Sequence, residues 1–403
     1  MTLSPRFKLL LAFVGLIAVT TLIGWLLITL FFGEKPSIEE GGEEITQEEE
    51  EGRLTLSEEI EQRGTAEEEV PTGLQPSAVA EGREVFTQRL TASSVTEPTI
   101  VGDAIVFYNS RDGLFYMIDD SGELIAITDQ AFKSADTVTI AASGDIAALE
   151  FPDGSNIIYD LETGKQTTLP NHWEDFAFSA DGEEVVSKSL VSDPNANALI
   201  ISNSDGSRTQ VVAGLGNNEK KVTANVSPNN NIVAFSETGT TQSGFGRNEI
   251  YLLDVTGTAI GSLVVEGGNF SAFWSPSGSS ILYSVSLASN ADTPSLWLTN
   301  ATGDIGSTRD RLDLQTWVEK CTFENETAII CAAPREVTAG SGIDHRLISA
   351  PDDVYRLNLE TGRVTLLAIP ATDTQMSNLS VSSDKTILYY TDEYGRLNFI
   401  RLK

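Results

Sequence analysis

Three carboxylates are placed for chemistry. Asp136, Glu174 and Glu319 each stand at the head of a short apolar run in a chain of 403 residues. Paired carboxylates are the acid and base of glycoside chemistry. Little else in the chain offers a reaction. Its only histidines, His172 and His345, are far apart in sequence, and there is no G-x-S-x-G, H-E-x-x-H, phosphate-binding G-x-x-x-x-G-K-[ST] or calcium-loop motif. With two Cys and two His there is no material for a Cys/His zinc centre, so no metal, cofactor or catalytic residue is assigned and the reading is not an enzyme. Cys321 and Cys331 lie ten apart on the two strands of one expected hairpin. They are expected to form a structural disulfide, since C-x-x-C is absent. With 58 acidic against 26 basic residues the formal charge is -32, which argues against a nucleic-acid partner.

The elements that would carry these residues begin after a different kind of segment. Following a short cytoplasmic N-terminus (1–8), Leu9 to Phe32 runs 24 residues without a charge. As a helix it would extend roughly 36 Å, enough to cross a bilayer core of about 30 Å. Residues 9–33 are therefore expected to be an uncleaved transmembrane helix. Arg6 and Lys8 before it, against Glu34, Glu39 and Glu40 after it, place the N-terminus inside and the C-terminal domain outside the plasma membrane. Residues 34–82 follow as an acidic linker: Glu34 to Glu69 holds fifteen Glu against Lys35, Arg53 and Arg63, with no aromatic residue. Such a composition predicts a disordered tether reaching on the order of 35–42 Å or more.

From residue 83 the chain repeats. A strand, a tight turn and a more apolar strand recur seven times: TIVGDAIVFYNS, VTIAASGDIAALEF, FAFSADGEEVVSKS, TANVSPNNNIVAFSE, SAFWSPSGSSILYSV, KCTFENETAIICAAP and LSVSSDKTILYYTDE. A second strand pair with an Asp, Asn or Gly turn follows six of them. Short alternating runs with such turns predict antiparallel strands, and four-strand units of this period predict propeller blades. The fold class is all-β, a seven-bladed β-propeller, with six or eight blades as alternatives. The last unit ends after its third strand, so Arg83 to Leu90 is expected to supply the missing strand and close the ring.

FSADG at 178–182, WSPSG at 274–278, VSPNN at 226–230 and DLETG at 160–164 resemble the repeats of bacterial TolB-type and WD40-like propellers. The likeness covers most of residues 95–403 and rests on turn and packing signals. It implies binding within a cell-envelope assembly. No α/β domain precedes the propeller here as it does in TolB.

Loop lengths assign the working face. Second-to-third strand connections are long in four successive blades, around 190, 237, 286 and 334. They carry an outer candidate patch of Phe245, Arg247, Arg335, Asp344, His345 and Arg346. Blade-to-blade connections on the same face bring His172, Trp173, Lys220, Lys221, Asn269, Trp317 and Met376 toward the channel mouth, where aromatic and cationic groups suit a peptide, sugar or anionic end group. The alternative for each tryptophan is packing between blades. The expected protein is a single-pass, non-catalytic platform for a protein or peptide partner at the bacterial envelope. A surface carbohydrate-active enzyme using channel carboxylates, or a structural component of an envelope assembly, are the rival readings.

Overall fold

The structure, a computed structural model, describes residues 76–403 except 120–121, 243–245, 288–289 and 291. The expected span at 9–33 and the linker up to residue 75 lie outside the described residues. Among those described, no helix is long and apolar enough to cross a membrane.

Among the described residues seven sheets, each built on four antiparallel strands, form seven blades. Their inner strands are Val95–Val101, Thr137–Ile140, Trp173–Phe178, Val222–Ala224, Gly268–Trp274, Cys321–Asn325 and Ser377–Val381. Seven hydrophobic clusters fill the seven spaces between blades. One joins Val106, Tyr108 and Phe115 of blade 1 to Leu149, Ile157 and Tyr159 of blade 2. The last joins Tyr389 and Leu397 of blade 7 to Ile105 and Phe107 of blade 1. Because each blade is covered on both faces, its second strand is largely buried, and in blade 6 it is apolar at successive positions, Ile329, Ile330, Cys331 and Ala332. Ile329 and Cys331 point toward blade 5, and Ile330 and Ala332 toward blade 7.

The turns quoted as repeat motifs have a shared construction. Ser179 Oγ donates to Asp181 at 2.6 Å and accepts from the Glu184 N–H at 3.0 Å. Ser227 and Ser382 repeat this with Asn229 and Asp384. The serine fixes the turn that sends the inner strand back into the second strand.

The ring closes through the N-terminal segment, which divides between two blades. Gln88–Arg89 pairs antiparallel with the third strand of blade 7, Leu397–Arg401, and supplies its fourth strand. Arg83–Val85 instead runs parallel to the outer strand of blade 6, Val364–Pro370, making that sheet five-stranded. The ordered fold also begins before residue 83, where the sequence places the linker's end. Ala80 is buried between blades 6 and 7, and its N–H donates to the Arg401 carbonyl at 2.8 Å. A small apolar residue with a strand edge beside it is enough to hold this stretch down.

Candidate functional site

The face bearing the second-to-third strand connections is dominated by residues 335–351 of blade 6. This connection folds into two short 3-10 turns, Ser341–Ile343 and His345–Leu347. It lies back over blade 5, where the Gly342 N–H donates to the Asp292 carbonyl at 2.7 Å. A Cβ on Gly342 would stand 2.5 Å from that oxygen, so the approach requires glycine. From below, the Trp317 indole N–H donates to the Gly342 carbonyl at 3.3 Å. The loop is thus fastened at its middle, and its outward side presents Ile343 and Leu347, 61% and 63% exposed.

Beneath the loop lies a buried ion pair. Lys320 Nζ is 2.6 Å from Asp352 Oδ2, and both side chains are essentially inaccessible. The Met376 N–H donates to the same oxygen at 2.7 Å, while Asp352 Oδ1 has no hydrogen-bond partner. Burial pushes the Asp352 carboxyl up, and Lys320 opposes it. His345 stands edge-on to Trp317 with ring centres 6.4 Å apart, and burial lowers its pKa against the pull of Glu319. Asp344 is held down to about 2, chiefly by the Arg346 side chain beside it.

The sequence-derived residues divide accordingly. Trp173, Trp317 and Met376 are buried, Trp173 between blades 2 and 3 and Met376 between blades 6 and 7. They pack rather than line a mouth. Lys220, Lys221 and Asn269 are exposed, and His172 is half-buried with its carbonyl accepting the Leu190 N–H. The outer cations are engaged: Arg335 with Asp353 and Asp373, Arg346 with Asp344, and Arg247 with Glu266. Phe245 lies outside the described residues. Cys321 and Cys331 face each other across the first hairpin of blade 6 and are bonded.

The structure adds a set of residues of which the sequence singled out Asn269 alone. In blades 1, 3, 5 and 7 the inner strand slips register near its start, and one residue there takes a left-handed backbone. These are Glu97, Asp175, Asn269 and Asn378, with φ of 49°, 60°, 52° and 49°. Left-handed φ is uncommon outside glycine and favours short polar side chains. Glu97, Asn269 and Asn378 are exposed. Glu97 is accessible to water yet walled by protein, which pushes its carboxyl up. Beside Asp175 a group of carboxylates forms. The Asp175 N–H reaches Glu150 Oε2 at 3.4 Å, and Lys188 Nζ pairs with Asp175 at 2.8 Å. Burial, then the charges of Asp175, Glu174 and Asp136, raise Glu150 to about 7. Asp136 and Glu174 thus act on one carboxyl, and Glu319 stands apart on blade 6. An acidic residue inside a strand beside a proline, as at Glu97–Pro98, was the available sequence signal.

No family model matches the chain, and no curated protein does. Solved structures do. An oligogalacturonate lyase from Vibrio parahaemolyticus is 14% identical with a TM-score of 0.55, covering 78% of this chain and 93% of that one. An oligogalacturonate lyase in complex with manganese is 13% identical with a TM-score of 0.53, covering 78% and 92%. The β-propeller domain of Cps50 (Swd1) from Myceliophteria thermophila is 12% identical with a TM-score of 0.51, covering 78% and 98%. The fold is a seven-bladed β-propeller.

These neighbours correct one expectation. The lack of catalytic motifs predicts that the chain is not an enzyme, yet two neighbours with this fold are lyases. Missing motifs therefore exclude nothing on such a scaffold. The manganese of one neighbour finds no matching ligand set: among the described residues no three His, Cys, Asp or Glu side chains are grouped to hold a metal. Its two histidines sit on different parts of the ring, before blade 3 and within blade 6.

Proposed function

We propose that this chain is a membrane-anchored, extracytoplasmic propeller that binds a protein or ligand partner at the bacterial cell envelope through its blade 6 face. The carrying observation is the 335–351 connection. It is fastened at Gly342 by Trp317 and blade 5, and it holds Ile343 and Leu347 out into water. A long loop fixed on a rigid scaffold with apolar side chains exposed is suited to capture by surface burial. The charge-free run at 9–32, the acidic tether and the bonded Cys321–Cys331 pair support the extracytoplasmic placement. The resemblance of the repeats to TolB-type propellers supports the envelope.

The test is a photo-crosslinking residue at position 347 of the full chain in cells. The expected result is a discrete adduct that Ile343→Asp abolishes while the melting temperature holds. An unchanged adduct, or none, would count against the reading.

A second reading, a carbohydrate-active enzyme, is favoured by one observation. Glu150, raised to about 7, lies beside Asp175, and a carboxyl poised near neutrality with a second carboxylate beside it suits acid–base work. Oligogalacturonate, the substrate named for two structural neighbours, is the first to assay. Turnover abolished by Glu150→Gln would establish it, and none on oligogalacturonate or a glycan panel would remove it.

A further inference from the structure

The opposite face of the ring carries a recess. It has a volume of about 400 Å³ and opens between the inner strands of blades 4, 5 and 6 at their first-to-second strand turns. Its walls are Val226, Pro228, Phe273, Pro276 and Phe323. Phe273 is 45% exposed, and its ring stacks on Phe323 at a centroid distance of 6.1 Å. An aromatic ring left nearly half open to water, stacked on a half-buried one of the next inner strand, is costly unless something covers it.

Two polar groups of the wall are already committed. Asn225 Oδ1 accepts the Trp274 indole N–H, and Ser275 Oγ accepts the Ser280 N–H. A sugar would find few free hydrogen-bonding groups inside; an apolar side chain would find a matching surface. The walls are preformed, because hydrogen bonds tie the three turns together. Asn229 reaches the Gly278 carbonyl at 3.4 Å, and Glu326 accepts the Ser277 N–H at 2.7 Å.

The rim supplies the second half of the specificity. The first-to-second strand turns around the channel carry Asp103, Asp145, Asp181, Glu183, Glu326 and Asp384, against Lys385 alone among their described residues. Asp181 and Asp384 are held below the usual carboxylate range by hydrogen bonds from Ser179 and Ser382, so both are anionic at neutral pH. The turns of blades 4 and 5 that wall the recess carry no charge and Glu326 of blade 6 is the acid at its border, so this is an apolar socket beside an anionic arc, which attracts cations along the arc and buries an uncharged group between the rings.

We infer that this recess is a docking site for a cationic peptide segment of a partner protein, which inserts one aromatic or large aliphatic side chain between Phe273 and Phe323. The site is independent of the blade 6 loop and lies on the other face, so Ile343→Asp leaves it intact.

The experiment pans a displayed random heptapeptide library on the full chain in nanodiscs, with the Phe273→Asp chain as counter-selection. The expected consensus is Phe, Trp or Leu flanked by Lys or Arg. A synthetic consensus peptide should weaken at least tenfold on Phe273→Ala, and at least tenfold when its anchor becomes Ala. Its affinity should also fall with added salt. Phe323→Ala gives a second variant, and the melting temperature of each confirms folding. An acidic or absent consensus overturns the assignment, as does a peptide whose affinity Phe273→Ala leaves within twofold. A self-association of the full chain that Phe273→Ala abolishes would overturn it too, by making a second copy the occupant.

Discussion

Glu150 makes a pH dependence out of one side chain. Its carboxyl is raised to about 7, first by burial and then by Asp175, Glu174 and Asp136. The folded form therefore holds a proton that the unfolded chain releases near the ordinary value of 4.5. Where the native state binds more protons, stability falls as pH rises, so this loss develops between about 4.5 and 7 and is complete above. With a discount for partial exposure, its size is on the order of 1–2 kcal/mol at 1.36 kcal/mol per pKa unit. Glu150→Gln should remove it, giving a variant more stable than the parent at pH 8 and nearly equal to it at pH 4.5. Thermal melts across that range decide it, and parallel profiles would refute the placement. Asp136 and Glu174 were visible in the sequence as candidates; Glu150 was not. It ends a second strand whose other residues are core, and its burial comes from a neighbouring blade.

The hairpin that opens blade 6 shows what one element adds. Cys321 and Cys331 are direct partners in the register, and they lie within the cluster between blades 5 and 6. Closing a loop of ten residues removes unfolded-chain entropy equivalent to about 2–3 kcal/mol. The Cys321→Ser, Cys331→Ser double variant should lose about that much, read from denaturant midpoints at unchanged slope. A loss under 0.5 kcal/mol would mean that blade packing alone sets the stability of this hairpin. At this scale the sequence was most legible. Ser179, Ser227 and Ser382 build the same turn in three blades, and each second strand carries a run of buried apolar residues, so the repeat could be counted. The bulges at Glu97, Asp175, Asn269 and Asn378 were not legible, because they arise where alternate inner strands slip against their neighbours. The Lys320–Asp352 pair spans 32 residues and is made by blade geometry, not by spacing. Phe273 and Phe323 stood inside the quoted repeats but read as ordinary strand residues.

For the whole molecule the decisive feature is how the circle is shut. Seven clusters hold seven interfaces, and a ring whose last sheet lacked a fourth strand would leave blade 7 with an open edge. Gln88 and Arg89 cover that edge, and the Leu90 N–H adds a bond to the Leu397 carbonyl at 2.8 Å. Leu397 N–H in turn donates to Thr91 Oγ1 at 2.9 Å. Three residues upstream of this closure, Val85 is fully buried between blades 6 and 7, so the same segment also staples the neighbouring blade. The need for a borrowed strand could be read from the unit that ends at Lys403; the division of the segment between two blades could not, since it depends on where the outer edge of blade 6 falls. Leu90→Pro removes the closing N–H and should loosen the seam without unfolding the ring, because blade 7 keeps its clusters with blades 6 and 1. Amides of Leu397–Arg401 should then exchange at least tenfold faster, about 1.4 kcal/mol of local protection, while those of Glu184–Ser189 in blade 3 stay within twofold. Equal acceleration in both blades would mean that the ring opens as one cooperative unit, and no acceleration in blade 7 would mean that interface packing holds the circle without its borrowed strand.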